Sequence, residues 1–201
     1  MSRSLPLLLL SLTACVTTSI PLETRLPDRP PKPVYQLSDV PAFVVSTDLL
    51  TVRRVDESGL LPLGLGSWRF ALGPEVADGL EQSLRLVFEE VELRDAAPVV
   101  GDAPALWLEP QIKEFDIGAF SLRTRVVLDY RLVDNRGTVL REASIQGRSS
   151  FGTRQLLALF TGFLFPVSPL EDSVERALQD VYTQLVAELE ALEAAGQLPT
   201  V

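Results

Sequence analysis

Histidine is absent from the 201 residues, and the chain holds one cysteine, one methionine and two tryptophans. Each scarcity removes a class of chemistry. Without histidine, the commonest general base and a common zinc ligand are both missing. With Cys15 as the only thiol, no internal disulfide can form and no histidine or cysteine metal site can be assembled. No serine sits in a Gly-x-Ser-x-Gly elbow, and Gly64–Ser67 (GLGS) lacks the lysine of a phosphate-binding loop. Positive charge is also short: 18 Lys and Arg against 27 Asp and Glu give a net charge of −9. An acidic chain without a long basic cluster argues against nucleic acid as the partner.

What is present begins at the amino terminus. Arg3 gives a short positive region, Leu5 to Leu12 an apolar run, and Thr13-Ala14 small residues before Cys15. That order is a secretory signal, because the apolar run is about half of the ~20 residues a spanning helix needs. Leu12-Thr13-Ala14-Cys15 resembles the bacterial lipobox, in which a diacylglycerol is attached to the cysteine sulfur before cleavage. The resemblance implies that residues 1–14 are a lipoprotein signal peptide and that the mature chain starts at an acylated Cys15. Two or three acyl chains hold a protein on a membrane where one does so only marginally. Losing residues 1–14 removes Arg3 and no acid, so the charge becomes −10. Val16 stands where, in enteric bacteria, an aspartate would favour inner-membrane retention. The resemblance thus implies the outer membrane, on its periplasmic face. Apart from this covalent lipid, no cofactor is expected.

Residues 15–41 read as the lipidated cysteine and a proline-rich linker, with six prolines between Ile20 and Pro41. Proline blocks helix and sheet ladders, so such a segment favours an extended tether that reaches roughly 80 Å at ~3.1 Å per residue. Packing of Val34–Val40 along the domain surface is the alternative. A folded domain is expected over 42–196, followed by a tail at 197–201. Ala42–Val55 reads as a strand, and Leu60–Trp68 as a loop or broken strand. Pro74 opens a helix whose apolar residues Val76, Leu80, Leu84, Val87 and Phe88 recur at helical spacing to about Glu90. VELRD (91–95) is a short strand candidate. Leu106–Ile117 forms a strand with a bulge near Lys113-Glu114, where Phe115 breaks the alternation.

Asp134-Asn135-Arg136-Gly137 suits a type I turn. Pairing Val133 with Thr138 then sets Leu132 opposite Val139, Leu128 opposite Ala143 and Val126 opposite Ile145. A slip of one residue would mix core with solvent. The opposite face carries Arg123, Arg125, Asp129, Arg131, Glu142, Gln146 and Arg148, so it meets water or a polar partner. Ser168-Pro169-Leu170-Glu171 is a capping-box signature. Behind it Val174, Leu178, Val181, Leu185, Leu189 and Leu192 form an apolar stripe that ends at Gly196. The expected fold is α+β: a two-layer α/β sandwich, with a mainly antiparallel sheet of about four strands and two amphipathic helices on one face.

Few residues suggest chemistry. Carboxylate pairs remain for a hydrolase, with Asp116, Asp129 and Glu142 as candidates, although acids on a solvated strand face are ordinary. Leu156–Leu170 carries no charge over fifteen residues and includes Phe160, Phe163 and Phe165. It is either a core element leading into the last helix or an exposed flap that contacts lipid or a partner. Leu60–Leu65 has the same two readings. Arg125 and Arg131, with Arg123 and Arg148, either join local ion pairs or bind an anionic group such as a phosphorylated lipid headgroup.

The lipobox and proline-rich tether lead into GPEVADGLEQSLRLVFEEV, LWLEPQIKEFDIG, VVLDYRLVDNRGTVL and LEDSVERALQDVYTQLVAELEAL. This layout, over about residues 42–195, resembles the small envelope lipoproteins related to YajG, to the LPS-assembly lipoprotein LptE and to the auxiliary lipoproteins of lipid-transport ABC systems. The resemblance implies a non-enzymatic, membrane-anchored accessory in envelope assembly or in lipid or LPS transport. Its partner would be an envelope membrane protein, a transport complex or an amphiphile. It carries over no site residue. A structural lipoprotein linking the outer membrane to the cell wall is the second reading, and a carboxylate-dependent hydrolase the third.

Overall fold

Alternating apolar and polar residues through 106–148 set three long strands side by side, and the rest of the domain is built onto them. The computed structural model describes residues 16–20, 22–25, 40–46, 55–58, 66–96, 105–118, 123–149 and 167–198. Cys15 and the Phe160, Phe163 and Phe165 segment lie outside the described residues. The strands are β1 (Val16–Ile20), β2 (Ala42–Val45), β3 (Val55–Ser58), β4 (Gly66–Phe70), β5 (Val91–Arg94), β6 (Leu106–Ile117), β7 (Thr124–Asp134) and β8 (Val139–Arg148). The helices are α1 (Leu72–Leu84) and α2 (Val167–Ala194).

One sheet has the order β5-β2-β6-β7-β8 and a smaller one the order β1-β4-β3. The α+β class and the placement of both helices on one face match the sequence reading. The sheet itself departs from it, with five strands and mixed pairing. β2 runs parallel to both β5 and β6, whereas β6, β7 and β8 are antiparallel. The parallel half follows from connectivity: β2 returns to β5 through the small sheet and α1, a crossover long enough to reverse direction twice. Val44, Leu106, Leu108, Val126, Leu128, Tyr130, Leu132 and Ile145 line the inner sheet face. Leu80 and Leu84 of α1 and Val174, Val181, Leu185 and Leu189 of α2 close over them.

The β7–β8 hairpin corrects the expected register. Gly137 N–H donates to the Asp134 carbonyl at 3.0 Å, and the Asp134 side chain accepts the N–H groups of Arg136 and Thr138. Gly137 has φ 80°, the left-handed conformation that adds one residue to the turn. Asp134 N–H then meets the Thr138 carbonyl, one step from the expected pairing. A second irregularity follows, because Val133 pairs with Val139 but Leu132 with Arg141. Two single-residue offsets make two. Leu128 faces Ile145 and Tyr130 faces Ala143, so from Arg141 onward the register moved while each side chain kept its expected face. Between the two offsets Val139, expected opposite Leu132, pairs with Val133 and is exposed, and Leu140 packs on the core instead. The bulge in β6 falls between Ile112 and Glu114, where the broken alternation put it.

Helix ends show smaller corrections. α1 stops at Leu84; Val87 and Phe88 are buried but belong to the turn that delivers the chain to β5. α2 already runs at Val167, so Ser168 lies within its first turn and not at its cap, while Pro169 is in the first turn as expected. At its other end Gly196 N–H donates to the Glu193 carbonyl and Gln197 N–H to that of Leu192, with Gly196 at φ 66°. This Schellman closure is what the terminal glycine announced.

The largest correction concerns the tether. Val16–Ile20 is not linker but a strand, paired parallel with β4. Leu22 is buried in the core, Glu23 N–H donates to Glu175 Oε1 on α2, and Thr24 Oγ1 donates to Asp78 on α1. Arg25 reaches Asp172 at 2.7 Å and Glu175 at 2.6 Å. Residues 22–25 therefore strap the two helices together. Val40, at the linker's end, is buried as well. The prolines between Arg25 and Val40 lie outside the described residues, and the chain on both sides of them is fastened to the domain. Composition missed this because a five-residue strand between a leader and prolines has no alternation to set it apart.

The helices approach closely at Gly79, where a Cβ would lie 2.2 Å from the Tyr182 hydroxyl. That hydroxyl donates to the Glu75 carbonyl at 3.5 Å. Burial pushes the Tyr182 hydroxyl far above its ordinary value, and burial followed by the Glu188 carboxylate does the same to Tyr130. An unfolded tyrosine ionises near pH 10, so the stability that both contribute is complete below that value and is lost as pH rises beyond it. In an alkaline titration at 295 nm, Tyr130 and Tyr182 are expected to ionise only as ellipticity is lost. Two reversible ionisations near pH 10 with the fold intact would contradict this.

Candidate functional site

The outer sheet face, away from the helices, divides into a polar half and an aromatic half. On the polar half, Glu109, Gln111 and Lys113 of β6, Asp129 and Arg131 of β7, and Glu142 and Ser144 of β8 surround a shallow groove of about 460 Å³. Strand alternation sends these side chains outward, and the β6 bulge keeps Lys113 beside Asp129. Lys113 Nζ lies 3.0 Å from Asp129, and Arg131 lies 3.4 Å from Glu109 and 4.0 Å from Glu142. Further along, Arg125 lies 3.2 Å from Glu114 and is level with Arg148 across the ladder.

These distances place the residues singled out in the sequence. Arg125 and Arg131 do share the outer face, and each has a carboxylate partner within 3.4 Å. An anionic ligand would have to displace those carboxylates. Asp129 and Glu142 also share the groove, but their neighbours differ. The Ser144 hydroxyl, followed by the Lys113 ammonium, holds the Asp129 carboxyl below the usual carboxylate value, so it stays charged at neutral pH. A general acid needs the opposite shift. Glu142 is 73 % exposed. Asp116, on the β6 end beyond the bulge, is also exposed and lies across from Arg125. Among the described residues no group of three His, Cys, Asp or Glu is placed to hold a metal ion.

The aromatic half was not singled out in the sequence. Phe43 of β2 stacks on Trp107 of β6 with ring centroids 4.4 Å apart, and the Arg94 guanidinium lies 4.6 Å from the Phe43 centroid. Ala105, Val133 and Val45 pack around them. Trp107 Nε1 is buried and has no hydrogen-bond partner among the described residues. The signal was there: in LWLEP, Trp107 alternates with the core residues Leu106 and Leu108, so it must face outward. The strap was less legible, since Arg25 and Glu175 are 150 residues apart and neither stands out alone.

No family model matches the chain, and no curated protein matches it. Solved structures do. Protein XCC0632 from Xanthomonas campestris, described with the family model DUF330, is 14% identical, with a TM-score of 0.53 over 90% of this chain and 99% of that one. The hypothetical protein CT253 from Chlamydia trachomatis is 14% identical, with a TM-score of 0.40 over 78% of this chain and 95% of that one. At this identity the likeness to the Xanthomonas protein is one of fold, and it extends over nearly the whole of both chains.

Proposed function

We propose that this chain is a bacterial envelope lipoprotein, acylated at Cys15 and held on the outer membrane. It acts there as a non-catalytic accessory that binds a protein partner or amphiphile in envelope assembly or lipid transport. One observation carries the reading. Leu12-Thr13-Ala14-Cys15 follows a positive and an apolar region, and the first strand of the fold begins at the next residue, Val16. A cut before Cys15 would remove the leader and leave every described element in place. No helix among the described residues is long and apolar enough to cross a membrane, which is compatible with attachment by lipid.

The outer sheet face supports the recognition half of the reading. It presents alternating cations and anions rather than one sign, which suits a partner surface of mixed charge. Asp129, held ionised by Ser144 and Lys113, suits binding better than proton transfer. Metabolic labelling with palmitate is expected to mark the wild-type chain and to be lost in Cys15→Ser, with the protein released from the membrane fraction. Labelling retained in Cys15→Ser would refute the anchor. A photocrosslinking residue at Ser144 is expected to capture an envelope partner where one at Asp78 does not. Equal capture at both positions would remove the sheet face as the recognition surface.

A further inference from the structure

We propose that the open half of the β8 edge, at Glu142 and Ser144, takes an extended basic segment of a partner protein as a sixth strand of the large sheet. This rests on the reading of the outer sheet face as the recognition surface, and it names what that face recognises.

β8 ends the order of the large sheet, so among the described strands it pairs only with β7. Successive residues of a strand turn their backbone groups to opposite edges. Ser149 N–H donates to the Thr124 carbonyl at 3.0 Å, so odd-numbered residues of this stretch bond to β7 and even-numbered ones face away. The far end of that outward edge is capped by α2. Arg148 N–H donates to Asp180 Oδ2 at 3.0 Å, and the Gln146 carbonyl accepts from Gln184 Nε2 at 2.9 Å. One turn further along α2, Glu188 instead accepts from the Arg141 side chain at 2.8 Å. The N–H and C=O groups of Glu142 and Ser144 are left without partners among the described residues, and both residues are exposed.

Such an edge is a template for another strand, and no proline or lysine within β8 blunts it. The opposite edge is a poorer template. The Glu90 and Arg94 carbonyls accept from Ala42 and Ser46, so the outward residues of β5 are Val91, which is buried, and Leu93.

Charge around the open half selects the occupant. An added strand sets alternate side chains on the outer face beside Glu142 and Ser144, at the lip of the polar groove. Three acids there, Glu109, Asp129 and Glu142, face two bases, Lys113 and Arg131. Glu142 is 73% exposed and lies 4.0 Å from Arg131, which Glu109 holds at 3.4 Å. Lysine or arginine at alternate positions of the incoming strand would meet Glu142 directly across the new ladder. A second copy of this chain is a poor occupant, because each copy carries a net charge of −9 and brings its own Glu142 to the edge.

The test titrates the full chain in detergent with a fluorescein-labelled nonapeptide alternating lysine with valine, and with its glutamate twin. The lysine peptide is expected to bind about tenfold more tightly and to slow hydrogen exchange at the Glu142 and Ser144 amides by a similar factor. Methylating its backbone nitrogens on alternate residues gives two forms, one for each edge of the peptide. One form is expected to lose binding and the other to keep it. Ser144→Pro removes an outward N–H and no bond to β7, so it should abolish binding with the thermal transition unchanged. Glu142→Lys should remove the preference for the lysine peptide. Equal affinity for the two peptides, equal loss in both methylated forms, or unchanged exchange at the two amides overturns the proposal. So does a dimer that Ser144→Pro dissociates, since a second copy would then be the occupant. In cells, capture by a photocrosslinking residue at Glu109 is expected to be lost in Ser144→Pro. Capture that survives Ser144→Pro overturns the edge and leaves the outer face standing as the recognition surface. Absence of capture in the wild type refutes that face, and the peptide titration still decides the edge.

Discussion

Replacing Gly147 with valine is expected to destabilise the domain by more than any single surface change. Gly147 sits on the inner face of β8 where α2 crosses closest. A Cβ built there would lie 1.9 Å from the Ala177 carbonyl oxygen and 2.7 Å from Val181 Cγ2. The nearest obstacle is backbone in the middle of a 28-residue helix, so no side chain can swing aside. Helix and sheet would have to separate, opening contacts at Val126, Ile145 and Ala177 that are now buried. Overpacking a core costs about 1–3 kcal/mol where side chains can adjust, and more where they cannot. Gly147→Ala is therefore expected to lose about 3 kcal/mol, and Gly147→Val more, from a total of about 5–15 kcal/mol typical of a domain. Gly137 gives the contrast. It is exposed, has open space around its missing Cβ and is constrained only by its φ of 80°, so Gly137→Ala should cost about 1 kcal/mol. Urea midpoints of the three variants check the order. A Gly147→Val midpoint equal to that of Gly137→Ala would show that the close approach of α2 to β8 is wrong.

Removing the Arg25 side chain is expected to loosen the whole amino-terminal strap. Glu175 is 3% exposed, and its carboxylate is satisfied by Arg25 Nε at 2.6 Å and by the Glu23 N–H at 3.0 Å. Burial pushes the Glu175 carboxyl up, against the pull of that N–H and of Arg25. In Arg25→Ala the carboxylate keeps its burial and loses its cation. Breaking a buried pair costs about 3–5 kcal/mol; Arg25 is 40% exposed and partly screened by water, so about 2 kcal/mol is expected. The pH dependence distinguishes this from simple loss of packing. A carboxyl whose folded pKa is raised contributes stability below its unfolded value, and that contribution is lost as pH rises through the folded one. The deficit of Arg25→Ala should thus be largest at neutral pH and shrink towards acid. Adding Glu175→Gln should recover most of it at neutral pH. A deficit that is independent of pH and unrelieved by Glu175→Gln would mean that the ion pair does not hold the strap.

Several features were legible because their causes are local. Twelve residues of alternating character gave β6 with both ends correct and its bulge in place. The stripe from Val174 to Leu192 gave α2 its buried side, since a period of 3.6 needs no knowledge of what it packs against. Even the mistaken register of β7 and β8 kept each residue beyond the second offset on its face, because two offsets restore a period of two; only Val139 and Leu140, between them, changed sides. In the candidate site, alternation alone put Arg125, Asp129, Arg131 and Glu142 on one surface. It could not tell that Lys113 would be carried by the bulge to Asp129, or that Glu109 would engage Arg131.

By itself, then, the sequence determined what depends on periodicity and on chemical inventory. It ruled out histidine chemistry and internal disulfides, and it specified an acidic α+β domain, two amphipathic helices and a polar sheet face. Only the tertiary structure decided what Val16–Arg25 does. A short strand gains its hydrogen bonds from a partner, and the partner of Val16 lies fifty residues away at Gly66. Nothing within five residues of chain records that pairing. The chemistry proposed for Cys15 is written locally, in Leu12-Thr13-Ala14-Cys15, whereas the strand that starts at the next residue exists only through its long-range pairing with β4.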